Sequence, residues 1–181
     1  MSEPFSRGRK ICVAVSALFL SAVLFRTQIA GAIVARGDDL LVRGNKGSAM
    51  RYYERALIID PSTSLAADRL AFTLLQQRTS QSLLRCVATV TEFFARNRAD
   101  SELLADRALC FLLLHRYAAA EDDFRRAASA SIINEPRNEV FAGWCAWRER
   151  RREEARALWR AALHASPRYR PAAIALAEHG R

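Results

Sequence analysis

The chain has 181 residues, of which 51% are apolar and 26% charged, so it can bury a core and is not composed like a disordered segment. Seven Gly and five Pro leave too little turn chemistry for an all-β fold. Twenty-eight Lys and Arg against 19 Asp and Glu give a net charge of +9, carried almost wholly by arginine, since only Lys10 and Lys46 are lysines.

Residues 1–10 form a short basic tail containing Arg7, Arg9 and Lys10. The fifteen uncharged, mostly apolar residues from Ile11 to Phe25 follow, about 22 Å of helix against a hydrocarbon core of about 30 Å. Arg26, Thr27 and Gln28 interrupt, and a second apolar piece runs from Ile29 to Ala35. One helix over 11–32 spans a bilayer as a signal anchor if Arg26 snorkels to the headgroups. The same residues also read as a cleaved signal peptide, with Ala30-Gly31-Ala32 as the small-x-small site, or as a buried first helix. The anchor is the preferred reading. A basic tail ahead of the first apolar run stays in the cytoplasm. The body then lies across the membrane, for a bacterial chain in the periplasm, although Arg36, Arg43 and Lys46 blur the charge rule. The arginine bias is a loose compositional pointer to a GC-rich bacterial genome.

From about residue 30 the periodicity is helical. The expected helices are 11–44, 46–60, 63–77, 80–96, 101–114, 117–130, 136–149, 152–165 and 170–179. A pattern recurs through them. Ala49, Tyr53, Ala56 and Pro61 are matched by Ala155, Trp159, Ala162 and Pro167, and by Ala120, Phe124 and Ala127 with Ile132 in place of Pro. Twelve residues before each leading Ala stands Gly37, Gly143 or Ala108. Small residues let paired helices approach. Gly37 is expected to face Ala49, Ala108 to face Ala120, and Gly143 to face Ala155, with the aromatic ring filling the wedge between hairpins. Asp60-Pro61 and Ser166-Pro167 stop their helices, because the residue before Pro avoids the α region.

This recurrence resembles the tetratricopeptide repeat family, four hairpins over residues 30–169 followed by a capping helix at 170–181. The resemblance is weakest over 64–100, where Leu83, Val87 and Val90 replace the Ala-aromatic-Ala line. It implies an all-α superhelix, preceded here by a transmembrane or signal helix. It also implies a concave groove, lined by the first helix of each hairpin, in which a segment of another protein lies. By angle, Leu109, Leu112 and Leu113 point into that groove from a helix, Ser101 to His115, whose second half is apolar all round. Phe72, Leu75, Trp144 and Trp147 take matching places in the flanking units, with Arg137 and Arg148 at one end. The family's clamp for acidic C-terminal tails needs Lys, Asn and Arg. The matching positions hold Val34, Asp38, Arg69, Glu102 and Asp106, so no such clamp is expected.

No catalytic or cofactor constellation is visible. His115, His164 and His179 lie far apart, and Cys86, Cys110 and Cys145 read as core residues, with room for one bridged pair. Gly44-Asn45-Lys46-Gly47-Ser48 lacks the order of a phosphate loop and reads as a turn. Glu121-Asp122-Asp123 and the cluster Arg148, Arg150, Arg151 and Arg152 read as solvated faces with local ion pairs, the latter with an anion patch as the second reading. The expectation is thus a non-catalytic, membrane-anchored adaptor, without metal or cofactor. It would bind a protein segment and serve an envelope assembly of the secretion, pilus or surface-polymer kind. Self-association stays open. The alternative is a basic helical repeat that binds nucleic acid or another polyanion.

Overall fold

A computed structural model of the protein describes residues 4–131 and 136–179; the side chains of 4–15 and 17–19, and Ile132 of the repeat pattern, lie outside what is described. The described residues form helices and turns: α1 (Pro4–Val42), α2 (Lys46–Ile59), α3 (Ser64–Leu75), α4 (Ser80–Arg96), α5 (Ser101–Leu113), α6 (Tyr117–Ala130), α7 (Pro136–Arg148), α8 (Arg152–Ala165) and α9 (Arg170–His179). The chain divides into two compact units, one up to Ala66 and one from Ala67 onward.

In the first unit α1 packs along α2. Arg26 does not wait for a headgroup. Its Nε donates to the Ile59 carbonyl oxygen at 3.1 Å and its guanidinium lies 4.0 Å from Asp60, at the carbonyl end of α2. Asp60 also accepts from the Ser62 hydroxyl at 2.6 Å and the Ser62 amide at 3.1 Å. These bonds hold its carboxyl below the usual carboxylate range despite burial. In the second unit α5 pairs with α6 and α7 with α8, while α4–α5, α6–α7 and α8–α9 contacts join successive elements.

The turns inside the hairpins are alike. Gly44 (φ 78°), His115 (φ 58°) and Arg150 (φ 64°) each take the left-handed conformation after a helix. The next amide then reaches back to the same helix: Asn45 to the Leu40 carbonyl at 2.9 Å, Arg116 to Phe111 at 2.8 Å, and Arg151 to Ala146 at 2.9 Å. This closes the last helical carbonyls in each case. Gly44-Asn45 is therefore a turn, Lys46-Gly47-Ser48 open α2, and Asn45 caps that helix by accepting from the Ser48 amide.

The small-residue rule holds, with a different partner from the expected one. A Cβ placed on Gly37 would lie 2.5 Å from Cε1 of Tyr53, and one on Gly143 would run into the Trp159 indole. Ala108 and Phe124 share one buried cluster with Ala120. The aromatic ring thus covers the small residue of the first helix of its own hairpin, and its outer side meets the next element as well: Phe124 stacks on Phe141 of α7, and Trp159 packs with Ala172 and Ala175 of α9. A ring four residues beyond the leading Ala is one turn along the second helix, which lifts it back over the first. Tyr53, Phe124 and Trp159 are each fully buried. The polar ends are satisfied: the Tyr53 hydroxyl donates to Asp38 at 2.8 Å, and Trp159 Nε1 donates to the Val140 carbonyl at 3.2 Å.

In the degenerate unit the buried line of α4 is Leu83, Cys86, Val90 and Phe93, so Cys86 takes the place expected for the half-buried Val87. The Cys86 thiol faces that of Cys110 on α5, and no cysteine is bridged among the described residues. That contact explains why α5 is apolar all round. It buries Leu104 and Ala108 toward α6 and Cys110 toward α4, which leaves fewer residues for a groove than apolarity alone implied.

Replacing Gly143 by Ala drives a methyl group into a ring that is already hydrogen-bonded. The expected cost is about 2 kcal/mol of unfolding free energy, read from the chemical-denaturation midpoint, whereas Gly47→Ala, with open space at its Cβ, should leave the midpoint nearly unchanged.

Candidate functional site

Helices α3, α5 and α7 contribute one wall each to a cleft of about 450 Å³ in the second unit. Phe72 and Leu75 come from α3, Leu109 from α5, and Phe141 from α7, with Phe124 of α6 at the floor. Phe124 and Phe141 stack at 5.2 Å, so one face of the floor continues the hairpin core. A second cleft of about 320 Å³ is lined by Leu112, Leu113, His115, Tyr117, Phe141, Trp144 and Arg148. Phe141 borders both.

The groove residues expected from the sequence divide accordingly. Phe72, Leu75, Leu109 and Arg137 line the first cleft, and Leu112, Leu113, Trp144 and Arg148 the second. Phe72 is 42% exposed and Leu113 40%. Trp147 lines neither. It packs on Trp159 at 6.0 Å and on His179 of the last helix at 4.6 Å, with Arg152 over its ring at 5.4 Å. Trp144 is covered on one edge by the same His179, at 5.2 Å. The capping helix α9, through Ala172, Ala175 and His179, thus claims part of the stripe, while its own Ile174 turns outward.

Several cleft residues escaped sequence reasoning, among them Asp68, Ala105, Tyr117, Asn138 and Phe141. Phe141 lies three residues before Trp144, a spacing that was readable. Arg69, Glu102 and Asp106 entered only as failed clamp positions.

The polar part of the first cleft is acidic on α3 and α5. Asp68, Glu102 and Asp106 line it, with Arg69 and Arg137. Arg69 lies 3.5 Å from Asp68. Burial pushes the Asp106 carboxyl up to about 7; Asp68 and Glu102 add to this, and Arg137 opposes it. On α7, Asn138 is 2% exposed, and its Oδ1 has no hydrogen-bond partner among the described residues.

The acidic start of α6 is not a solvated face. Asp123 is 2% exposed and takes a two-pronged pair from Arg107, Nε at 2.6 Å and Nη2 at 2.8 Å, while Arg107 Nη1 donates to Thr91 at 3.0 Å. The same guanidinium lies over Phe94 at 5.1 Å, so one arginine ties α4, α5 and α6 together. Glu121, 5% exposed, accepts from Arg125 at 2.9 Å and pairs closely with Arg151, which also reaches Glu149 and Glu154. Those carboxylates raise the Arg151 pKa further, and Arg151 holds Glu154 below its usual value. Within the arginine cluster, then, Arg151 is a hub between α6 and α8, and Arg152 lies on Trp147. Among these four residues, Arg148 lines a cleft.

Among the described residues no three His, Cys, Asp or Glu side chains gather to hold a metal ion. Burial pushes the Cys145 thiol up to about 12, and the neighbouring Cys110 thiol and burial raise Cys86 as well. Neither is a thiolate nucleophile at neutral pH.

No protein-family model matches the chain, and no curated protein matches it in sequence. Solved structures match its fold. Pseudomonas aeruginosa pilF aligns over 84% of this chain and 68% of its own, at a TM-score of 0.69 and 19% identity. MamA aligns over 80% of this chain and 84% of its own, at 0.67 and 16%. YrrB, described as a TPR protein with an unusual peptide-binding site, aligns over 81% of this chain and 75% of its own, at 0.64 and 15%. The fold is therefore an all-α helical repeat like that of tetratricopeptide proteins.

Two outcomes follow. Asp123→Ala strands the Arg107 charge and should lower stability by about 3 kcal/mol, measured by denaturation, whereas Asp122→Ala on the exposed side should change it by less than about 0.5 kcal/mol. Asp106 binds a proton more tightly folded than unfolded. Its contribution is favourable near pH 4 and is lost as pH rises through about 7. Asp106→Asn should therefore match the parent near pH 4 and exceed it by roughly 1–2 kcal/mol near pH 8.

Proposed function

We propose that this chain is a non-catalytic adaptor, held at a membrane by the first part of α1, whose clefts between α3, α5 and α7 receive a segment of another protein. The observation that carries the binding half is the first cleft. Phe72 stays 42% exposed beside Leu75, Leu109 and Phe141 in a concave surface of about 450 Å³, within the range of ligand-sized sites. Exposed aromatic side chains in a cleft favour burial by a partner. The likeness to YrrB, itself described as having a peptide-binding site, supports the same reading.

The anchor rests on sequence and helix length. Among the described residues no helix is long and apolar enough to cross a membrane, and most of the run from Ile11 to Phe25 lies outside the described side chains. Ahead of Arg26, α1 runs through the uncharged residues 11–25, about 22 Å, and on through the basic tail, so a span of about 30 Å has to draw on its flanking turns. Leu20, Leu24 and Phe25 are 61%, 56% and 65% exposed in the isolated chain, as lipid-facing residues would be. Arg26, held by the end of α2, would mark where the anchor gives way to the body. A periplasmic body at a bacterial inner membrane, serving an envelope assembly, is the setting that fits a basic tail followed by one apolar run. The polyanion alternative is weakened because Arg107, Arg125 and Arg151 are engaged by carboxylates.

Binding should fail without loss of fold when the exposed rings are cut back. Phe72→Ala with Leu113→Ala should abolish capture of a crosslinked native partner while far-ultraviolet circular dichroism stays unchanged; undiminished capture removes the cleft reading. Cell fractionation tests the anchor: the full chain should need detergent for extraction, and its release by salt or alkali alone would contradict the anchor.

A further inference from the structure

We infer that the cleft between α3, α5 and α7 takes a basic side chain, a lysine ammonium or arginine guanidinium, carried on an apolar segment of the partner. This rests on the reading of the cleft as the partner's seat and adds the chemistry of what enters it.

The cleft runs against the charge of its own protein. The chain carries +9, yet this concave surface gathers Asp68, Glu102 and Asp106 from two neighbouring helices. Arg69 lies close to Asp68, and Arg137 lies beside Asp106. Three carboxylates thus share the cleft with two arginines, so once Asp106 is ionised the site carries one more negative than positive side chain.

The second observation is independent of charge. Asn138 lines the same cleft at 2% exposure, and its carboxamide oxygen is left without a donor among the described residues. A buried acceptor with no donor costs free energy that a ligand N–H can recover. An ammonium or guanidinium offers several such donors and no acceptor. The remaining walls, Phe72, Leu75, Leu109 and Phe141, suit the methylene stem of a long basic side chain and the apolar residues beside it. An acidic guest would set further acceptors against the Asn138 oxygen and the carboxylates.

The test is selection from a random peptide library displayed on phage, panned against the full chain in detergent micelles. The general charge of the protein favours acidic peptides, and the cleft favours basic ones, so the two expectations oppose each other. Sequences with Arg or Lys next to apolar residues are expected. A synthetic peptide of the selected sequence should bind about tenfold more weakly to Asp106→Asn near pH 8, the loss of one charge-assisted contact. It should bind the parent severalfold more tightly near pH 8 than near pH 6, as Asp106 ionises beside Asp68, Arg69, Glu102 and Arg137, and that dependence should vanish in Asp106→Asn. Asn138→Asp should tighten the same peptide. Acidic or purely apolar selected sequences that lose binding in Phe72→Ala overturn this inference and leave the cleft as a seat. Failure to select any Phe72-dependent peptide overturns both. Sedimentation as a dimer that Phe72→Ala dissociates would give the cleft to a second copy and overturn the inference as well.

Discussion

Two hairpins of this protein close on the same contact, an aromatic ring of the second helix pressed onto a glycine of the first, and a third buries its ring and its small residue in one cluster. Gly37 lies under Tyr53 and Gly143 under Trp159, while Ala108 shares a buried cluster with Phe124. The sizes match in sense: glycine accompanies the two larger rings and alanine the smallest. Where the Cβ is absent the ring sits where that atom would be, so the backbones approach as closely as ring thickness allows. Close packing of this kind makes the interhelical geometry discrete, because adding one methyl group forces a ring or a backbone to move.

That geometry places the clefts. With the second helix of each hairpin committed to covering the first, the outward face of α3, α5 and α7 is left to carry Phe72, Leu109 and Phe141 side by side. Buried ion pairs fix the same elements from behind. Arg107 joins α5 to α6 through Asp123 and to α4 through Thr91, and Arg151 joins α8 to α6 through Glu121. Such pairs contribute little net stability compared with apolar packing, but breaking one leaves a buried charge, so they act against other arrangements of the helices.

Much of the architecture was legible because the small residues, the aromatics and the prolines recur at fixed spacing, and the helix ends carry their own chemistry. Thr79 and Asp100 cap α4 and α5 with their side chains, and Asp60-Pro61 ends α2. What spacing did not tell is which neighbour each side chain meets. The ring of Trp159 is four residues from Ala155, and the antiparallel register about the α7–α8 turn together with side-chain tilt sets it over Gly143, while its other side meets α9. Asp123 and Glu121 looked like surface because they open a helix, yet their partners come from Arg107 and Arg151, 16 and 30 residues away. Trp147 looked like groove because its helical angle is right, and the capping helix, through His179, takes that face. Asn138 carries no sequence signal as a cleft residue beyond its place on the Phe141 face.

The claim that ring size and small-residue size are matched within each hairpin is tested most directly by a double-mutant cycle at the hairpin of α5 and α6. Phe124→Trp alone should cost about 1–3 kcal/mol, because an indole does not fit over Ala108. Combined with Ala108→Gly it should recover at least about 1 kcal/mol of coupling, since the pair then reproduces Gly143 and Trp159. Strict additivity of the two substitutions in chemical denaturation would contradict the account.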